Sequence, residues 1–498
     1  MSRSGSLNLL IAASEAIPYA KTGGLADVTG ALPQELAKFG HDVILIIPRH
    51  RSINGSGRAF QRVAALTVPT PQGTFEAAIE EDVVPVPGSL GRLRVWAIRY
   101  DPYFDRTSLY QELGKDYPDN LERFVFFSRA VIETAVFLRK ELDWKTDLLH
   151  LHDWQTALCS AYLRTTDRGR KELAEVKTVL TLHNMGYQGL FPGSEFVKTG
   201  LAASLFSLQG LEFYGSANLL KGGIVFSDSL TTVSPTYARE ILTREGGCGL
   251  EGVLRTRTAD LHGILNGIDV VNWNPETDPY LPATYSSRER SGKAVCKRAL
   301  QREFRLPEID VPVIAAIGRM TYQKGFDLLE GVLPRLMVHD LQLVMLGTGE
   351  PSDEERFRSL QLRYEDRMGL RIGFDEGLAH RIEGGSDMLV MPSRYEPCGL
   401  SQLYSLRYGT VPVVRNVGGL ADTVVPVDGR LGVGGQATGF HIKAHTPEVL
   451  LDSLRDALKA YRNRPLWEAL VTEGMRTDVS WTRSAQLYDA LFRDVVEG

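Results

Sequence analysis

The 498-residue chain has little of what marks several functional classes. Its four cysteines, Cys159, Cys248, Cys296 and Cys398, are scattered and form no CxxC pair. That spacing argues against a zinc ribbon or a secreted disulfide framework and fits a reducing cytoplasm. No Asp-x-Asp and no HExxH occurs, although ten histidines are present, so neither common acidic nor helical metal-ligand pattern is available. No apolar run approaches the roughly 20 residues needed to cross a bilayer. The start, MSRSGSLNLLIAA, is basic then apolar, but the run is short, Glu15 follows at once and no small-residue cleavage site precedes it; Leu7 to Ala13 is expected to be a buried first strand rather than a signal peptide. Charge of one sign is lacking too. With 56 basic and 61 acidic residues the formal charge is -5, without a long single-sign run, which gives no reason to expect nucleic acid or a membrane as partner.

What is present is a globular composition, 43% hydrophobic and 23% charged, on a chain long enough for two domains of roughly 200 to 250 residues. Short β-branched and leucine-rich runs recur with helical stretches between them. LNLLIAA, VILII, LRVWAI, LLHLH, TVLTL and LTTV form a first series, and VPVIAAIG, LQLVMLG, LRIGF, DMLVMPS and VPVVR a second. Two successive α/β sets are predicted. Residues 266–294, rich in Asn, Pro and Ser, read as a connection running over the surface. GRLGVGGQATG at 429–439 reads as a loop, and residues 450–497 carry helical periodicity.

Three stretches place chemistry where ligands bind. In KTGGLADVTGALPQELAKFG, residues 21–40, Leu25, Val28, Leu32, Leu36 and Phe39 recur at helical spacing, so a helix starts near Gly24 after the first strand. Either Gly23 and Gly24 only permit a tight turn, or their bare backbone lets an anion reach the helix amides beside Lys21. In GRMTYQKGFDLL, residues 318–329, Arg319 and Lys324 follow a strand; they are either solvated surface or neutralise a phosphate at the carboxyl end of an open sheet. In PSRYEPCGLSQLYSLRYGTVPVVRNVGGLADTV, residues 392–424, Glu396 and Cys398 sit on a loop before a helix, and Gly418 and Gly419 open a further one. Glu396 is either a capping acid or an acceptor for sugar hydroxyls.

KTGGLADV, HNMGYQG at 183–189, VSPTYAREI at 233–241, LNGID at 265–269, GRMTYQKG and SRYEPCGL through GGLADTV together resemble the bacterial glycogen synthase and plant starch synthase family, in the right order over nearly the whole chain. The resemblance implies an α/β GT-B glycosyltransferase architecture, two Rossmann-like domains facing each other across a deep cleft. It implies residues 1–265 as the acceptor-side domain, 266–480 as the nucleotide-sugar donor domain and 481–498 as a helix crossing back to the first. It also implies the reaction: glucose moves from ADP-glucose to the non-reducing 4-hydroxyl of an α-1,4-glucan such as glycogen, with retention and release of ADP. No transit peptide is evident, which favours the bacterial, cytoplasmic branch.

On this resemblance Arg319 and Lys324 stabilise the departing phosphate, joined by Lys21 with the Gly23 and Gly24 amides and by the main chain of Gly418, Gly419 and Leu420. His183 lies by the glucosyl group, Glu396 either contacts the donor glucose or is the catalytic acid proposed for retaining chemistry, and Asp153 and Asn266 match sugar-site positions. Asp27 either faces the acceptor or stabilises its helix start, and Cys398 packs beside the site. These cations substitute for a metal, so no metal or other cofactor is expected. Tyr404 stands eight positions after Glu396, where many GT-B enzymes carry a second glutamate. Phe104 in YFDR replaces an expected tyrosine, so a hydroxyl contact from that position is missing. Another retaining GT-B enzyme with a different acceptor, and a catalytically silent glucan-binding protein, are the alternatives.

Overall fold

A computed structural model describes residues 5–112, 114–427 and 437–498. Most of the expected loop at 429–439 lies outside these. The chain divides into two compact units. Unit 1 comprises the residues up to Val233, Ala238–Leu265 and Trp481–Gly498; unit 2 comprises Ser234–Tyr237 and Asn266–Ser480.

The sheet of unit 1 has nine strands: β1 (Asn8–Ala12), β2 (Asp42–Pro48), β3 (Gln61–Thr70), β4 (Gly73–Val83), β5 (Arg92–Arg99), β6 (Leu148–His152), β7 (Lys177–Leu182), β8 (Ser229–Thr232) and β9 (Leu261–Gly263). Their spatial order is β9-β8-β7-β6-β1-β2-β5-β4-β3. All neighbours run parallel except β5-β4 and β4-β3. The near-continuous apolar runs of β1 and β2 fit strands covered on both faces. From β1 the chain builds first toward β2 and later returns to β6 on the other side, so the carboxyl ends of β1 and β6 border the point where strand order reverses. Ligands of open α/β sheets bind at such points.

Helix Gly24–Lys38 puts Val28, Leu32 and Leu36 into the core beside β1 and β2. The last helix, Trp481–Glu497, adds Trp481, Ala485, Tyr488 and Phe492 to the same core. Full burial of each large side chain contributes roughly 1.5–3 kcal/mol, so this amphipathic helix is integral to unit 1. His41 Nε2 and Asp489 Oδ1, 2.7 Å apart, tie it further.

Unit 2 holds six parallel strands: β10 (Val313–Ile317), β11 (Gln342–Gly347), β12 (Met368–Ile372), β13 (Met388–Met391), β14 (Val411–Arg415) and β15 (Phe440–Ile442). Their order is β12-β11-β10-β13-β14-β15. The reversal falls between β10 and β13.

Residues 266–290 are not a surface connection. Ile268, Asp278, Leu281 and Tyr285 are buried in unit 2, and the Trp273 ring is stacked between His380 and Tyr404, with centroids 3.6 and 3.7 Å away. Asp278 accepts from His380 Nδ1 at 2.7 Å and from the Tyr408 hydroxyl. The segment lacks periodicity because individual aromatic and polar contacts, rather than a regular element, bury it. Tyr404 thereby fills a packing position against Trp273.

Candidate active site

In unit 2 the reversal point gathers two loops. After β10 the chain passes Arg319 and makes the short turn Tyr322–Lys324, ending at Gly325, whose φ of 69° is left-handed. A Cβ at Gly325 would also collide with the Pro392 carbonyl oxygen, so glycine alone lets this turn lie against the loop that follows β13. There Lys324 Nζ donates to Glu396 Oε2 at 2.6 Å, and Ser393 Oγ donates to the same oxygen at 3.0 Å. Glu396 is buried while the Lys324 side chain is 22% exposed. Arg319 is exposed on the same loop.

Arg394, which the sequence did not single out, fixes this register. Its guanidinium grips Asp327 with two bonds of 2.8 and 2.7 Å, donates to the Tyr322 carbonyl and lies 3.5 Å from the Tyr322 ring centroid. Its amide donates to the Gln323 carbonyl at 2.8 Å. A bidentate, stacked arginine is the strong form of such a contact.

The second glycine pair departs from expectation. The Gly419 amide, assigned to a phosphate, donates to the Glu396 and Pro397 carbonyls at 3.2 and 3.0 Å. Gly418 has φ 43°, and a Cβ there would strike the Glu396 carbonyl oxygen. Gly418, Gly419 and Leu420 are buried, and the pair is required by the close passage of two backbone segments, which shapes the Glu396 loop. Cys398 is buried and its thiol is pushed up to about 12, chiefly by burial; a thiol so held is no nucleophile at neutral pH. Asn266 is buried too, with an Oδ1 that has no partner among the described residues, an acceptor suited to a sugar hydroxyl.

In unit 1 the loop after β1 carries Lys21 with the exposed Gly23 and Gly24. Lys21 Nζ and Asp27 Oδ1 are 2.8 Å apart, so Asp27, one turn into the helix, holds the lysine. An anion at Lys21 therefore shares it with Asp27. The loop itself is anchored by Glu15, which sequence reasoning used only to reject a signal peptide. Its buried carboxylate accepts from the Thr22 amide at 2.5 Å, the Thr22 hydroxyl at 2.6 Å and the Tyr110 hydroxyl at 2.5 Å. A carboxyl immediately past a buried strand was the available signal.

Across the same reversal point Asp153 follows β6 at a left-handed φ of 54°. Its Oδ1 accepts from the His183 amide at 2.7 Å, and the Asn184 main chain adds a second bond. Burial raises the Asp153 carboxyl to about 7 and lowers the His183 imidazole to about 3, because a poorly hydrated interior disfavours either charge. His183 Nε2 lies 2.9 Å from His152 Nδ1. Phe104 is fully buried in an aromatic group with His50, Tyr103, Phe126 and Phe127. A tyrosine hydroxyl at this position would be buried among aromatic rings, so the missing contact is no loss to a ligand.

With this geometry in place, known proteins can be compared. Residues 8–256 match the family model described as the starch synthase catalytic domain, and residues 298–469 match that of glycosyl transferases group 1. A glycogen synthase of Anaeromyxobacter sp. (strain Fw109-5) is 48% identical over 98% of this chain and 99% of its own, and one of Syntrophotalea carbinolica is 45% identical over 99% of each. The chain belongs to the glycogen and starch synthase family. Among solved structures, the catalytic domain of starch synthase IV from Arabidopsis thaliana, bound to ADP and acarbose, superposes with a TM-score of 0.88 at 32% identity, covering 99% of this chain and 100% of that one. Sucrose-phosphate synthase from Thermosynechococcus elongatus shares the fold at a TM-score of 0.60 and 18% identity, with 99% of each chain covered. As a member of this family the chain is a GT-B glycosyltransferase built from two Rossmann-like domains. No helix among the described residues is long and apolar enough to cross a membrane.

Proposed function

We propose that this enzyme extends an α-1,4-glucan by transferring glucose from ADP-glucose to the non-reducing 4-hydroxyl with retention, releasing ADP, and that it does so without a metal. The observation that carries the reading is the Lys324–Glu396 pair at the reversal point of unit 2, with Arg319 on the same loop. Sugar–phosphate cleavage leaves negative charge on the departing diphosphate and positive character at the anomeric carbon. Arg319 and Lys324 answer the first with fixed cations, and Glu396 offers a carboxylate acceptor to donor hydroxyls. Because these cations are preorganised, they stabilise the charge as it develops with little reorganisation.

In unit 1, Lys21 beside the Gly23 and Gly24 backbone serves a donor phosphate, exchanging Asp27 for it in part. The His183 segment, held by Asp153, faces the glucosyl group with its carbonyl and ring, and Asn266 in unit 2 accepts from a sugar hydroxyl. The reading is supported by the glycogen synthase relatives and by the ADP and acarbose in the starch synthase IV structure. The test is incorporation of labelled glucose into glycogen from ADP-glucose and from UDP-glucose, each with excess EDTA. Transfer from ADP-glucose that survives chelation is expected. Loss of activity with EDTA, restored by a divalent metal, would overturn the metal-free mechanism, and transfer from UDP-glucose alone would overturn the donor.

A further inference from the structure

We infer that His152 is a positioning residue that fixes His183 as the neutral tautomer protonated on Nδ1, so that this ring presents an N–H to the substrate. The inference rests on the placement of His183 by the transferred sugar proposed above.

β6 ends in His152 and β7 leads into His183, which brings their rings to a centroid distance of 5.2 Å, 30° from parallel, with Nδ1 of His152 and Nε2 of His183 2.9 Å apart. Two neutral imidazoles carry two protons on four nitrogens, and one proton must lie between the rings for the bond to exist. His152 Nε2 is sealed from solvent and has no partner among the described residues. If His183 donated to His152, the proton of His152 would sit on that sealed Nε2 as a buried N–H without an acceptor, at a cost of about 1–3 kcal/mol. The reverse placement leaves only a bare lone pair there, which interiors tolerate better than an orphaned N–H. His152 therefore donates from Nδ1, His183 accepts at Nε2, and the proton of His183 is left on Nδ1.

The neighbouring imidazole obeys the same rule. His150 Nε2 is 2.7 Å from Thr181 Oγ1, while its Nδ1 is sealed and without a partner among the described residues. Placing its proton on Nε2 again leaves a bare lone pair on the sealed side. A charged ring is not a third option, since burial holds His150 and His183 near 3 and His152 well below its ordinary value. Asp153 completes the device by gripping the His183 amide. The ring's remaining polar atom is Nδ1, and an N–H there can donate to a hydroxyl-rich ligand.

The full-length protein labelled with 15N-histidine answers the question without substrate, because long-range proton–nitrogen spectra separate the two neutral tautomers. The His183 signal, assigned by its loss in His183→Asn, is expected in the Nδ1–H form in wild type and in a mixture of forms in His152→Leu. Transfer by His152→Leu is expected to fall roughly tenfold or more in kcat with KM for the donor little changed. His152→Asn, whose amide can donate from nearly the same place, is expected to restore both the tautomer and most of the rate. An Nε2–H tautomer in wild type, or an unaltered Nδ1–H signal in His152→Leu, would overturn the inference. These spectra stand whatever donor the enzyme uses, so failure of the substrate assignment is separable from failure of the tautomer.

Discussion

The two reversal points share a topology and differ in electrostatics. In unit 2 the loops after β10 and β13 meet through formal charge: Lys324 on Glu396, Arg394 on Asp327. In unit 1 the residue after β6 grips neutral groups, the main-chain amides of His183 and Asn184, and burial drives the Asp153 carboxyl up and the nearby imidazoles down until charge is disfavoured. The lesson is a division of labour set by exposure. Where water reaches a group, as at Lys324, fixed charge survives in a pair, whereas full burial disfavours charge at Asp153 and His183.

The comparison breaks most visibly at Lys324. If fixed charge in unit 2 stabilises the leaving group, Lys324→Ala lowers kcat by about 10² to 10³, and Lys324→Arg recovers part of it. Steady-state rates with ADP-glucose and glycogen measure this. A loss confined to KM would show that Lys324 binds donor equally in the ground and transition states. Because Glu396 is buried and would lose its cation, a circular dichroism melt of the variant separates unfolding from lost chemistry.

A smaller effect is expected at Arg394, which positions charge without supplying it to substrate. Arg394→Ala removes the two bonds to Asp327 and the stack on Tyr322, loosening the Arg319–Lys324 loop. Activity as kcat/KM is expected to drop by roughly ten- to a hundredfold, in line with charged hydrogen bonds worth about 1.5–3 kcal/mol, and Arg394→Lys to rescue it poorly because ammonium cannot reproduce the fork. Full activity in Arg394→Ala would show that the loop keeps its register through the Gly325–Pro392 approach alone.

Much of this layout was legible in the sequence, and the exceptions are instructive. The strands β1, β2, β5–β8 and β10–β14 announced themselves as apolar runs, and the motif residues fell at their carboxyl ends because connections in parallel sheets alternate with helices. The hairpin β3–β4 did not, since its stretches QRVAALTVPT and GTFEAAIEEDV are half-exposed and alanine-rich, with no long apolar run. Glu15 and Arg394 were missed because their work is done through partners 7 and 67 residues away, Thr22 and Asp327, and nothing in local spacing records a partner. Gly418 and Gly419 are read from sequence as part of an anion cradle, whereas the structure commits the Gly419 amide to the Glu396 and Pro397 carbonyls, since a glycine needed for close approach to another chain segment and one needed for approach to a ligand look alike in sequence.

The neutral character of the His150, His152 and His183 cluster gives the subtlest prediction. Burial lowers His150 from its ordinary value to about 3, whereas in the unfolded chain it titrates near 6.5. Between those two values the unfolded state holds a proton that the native state does not. Stability contributed by keeping this ring neutral is therefore fully present above about 6.5 and is lost as pH falls toward 3, by about 1.4 kcal/mol per pH unit for one proton. Proton uptake on unfolding in guanidinium at pH 5 measures the difference directly and needs no two-state assumption, an advantage in a chain of two units. His150→Asn should take up about one proton fewer than wild type. Equal uptake in the two proteins would mean that the native imidazole is already charged at pH 5, and the contrast between the charged loops of unit 2 and the neutral histidine cluster of unit 1 would have to be abandoned at the very residue that borders His152.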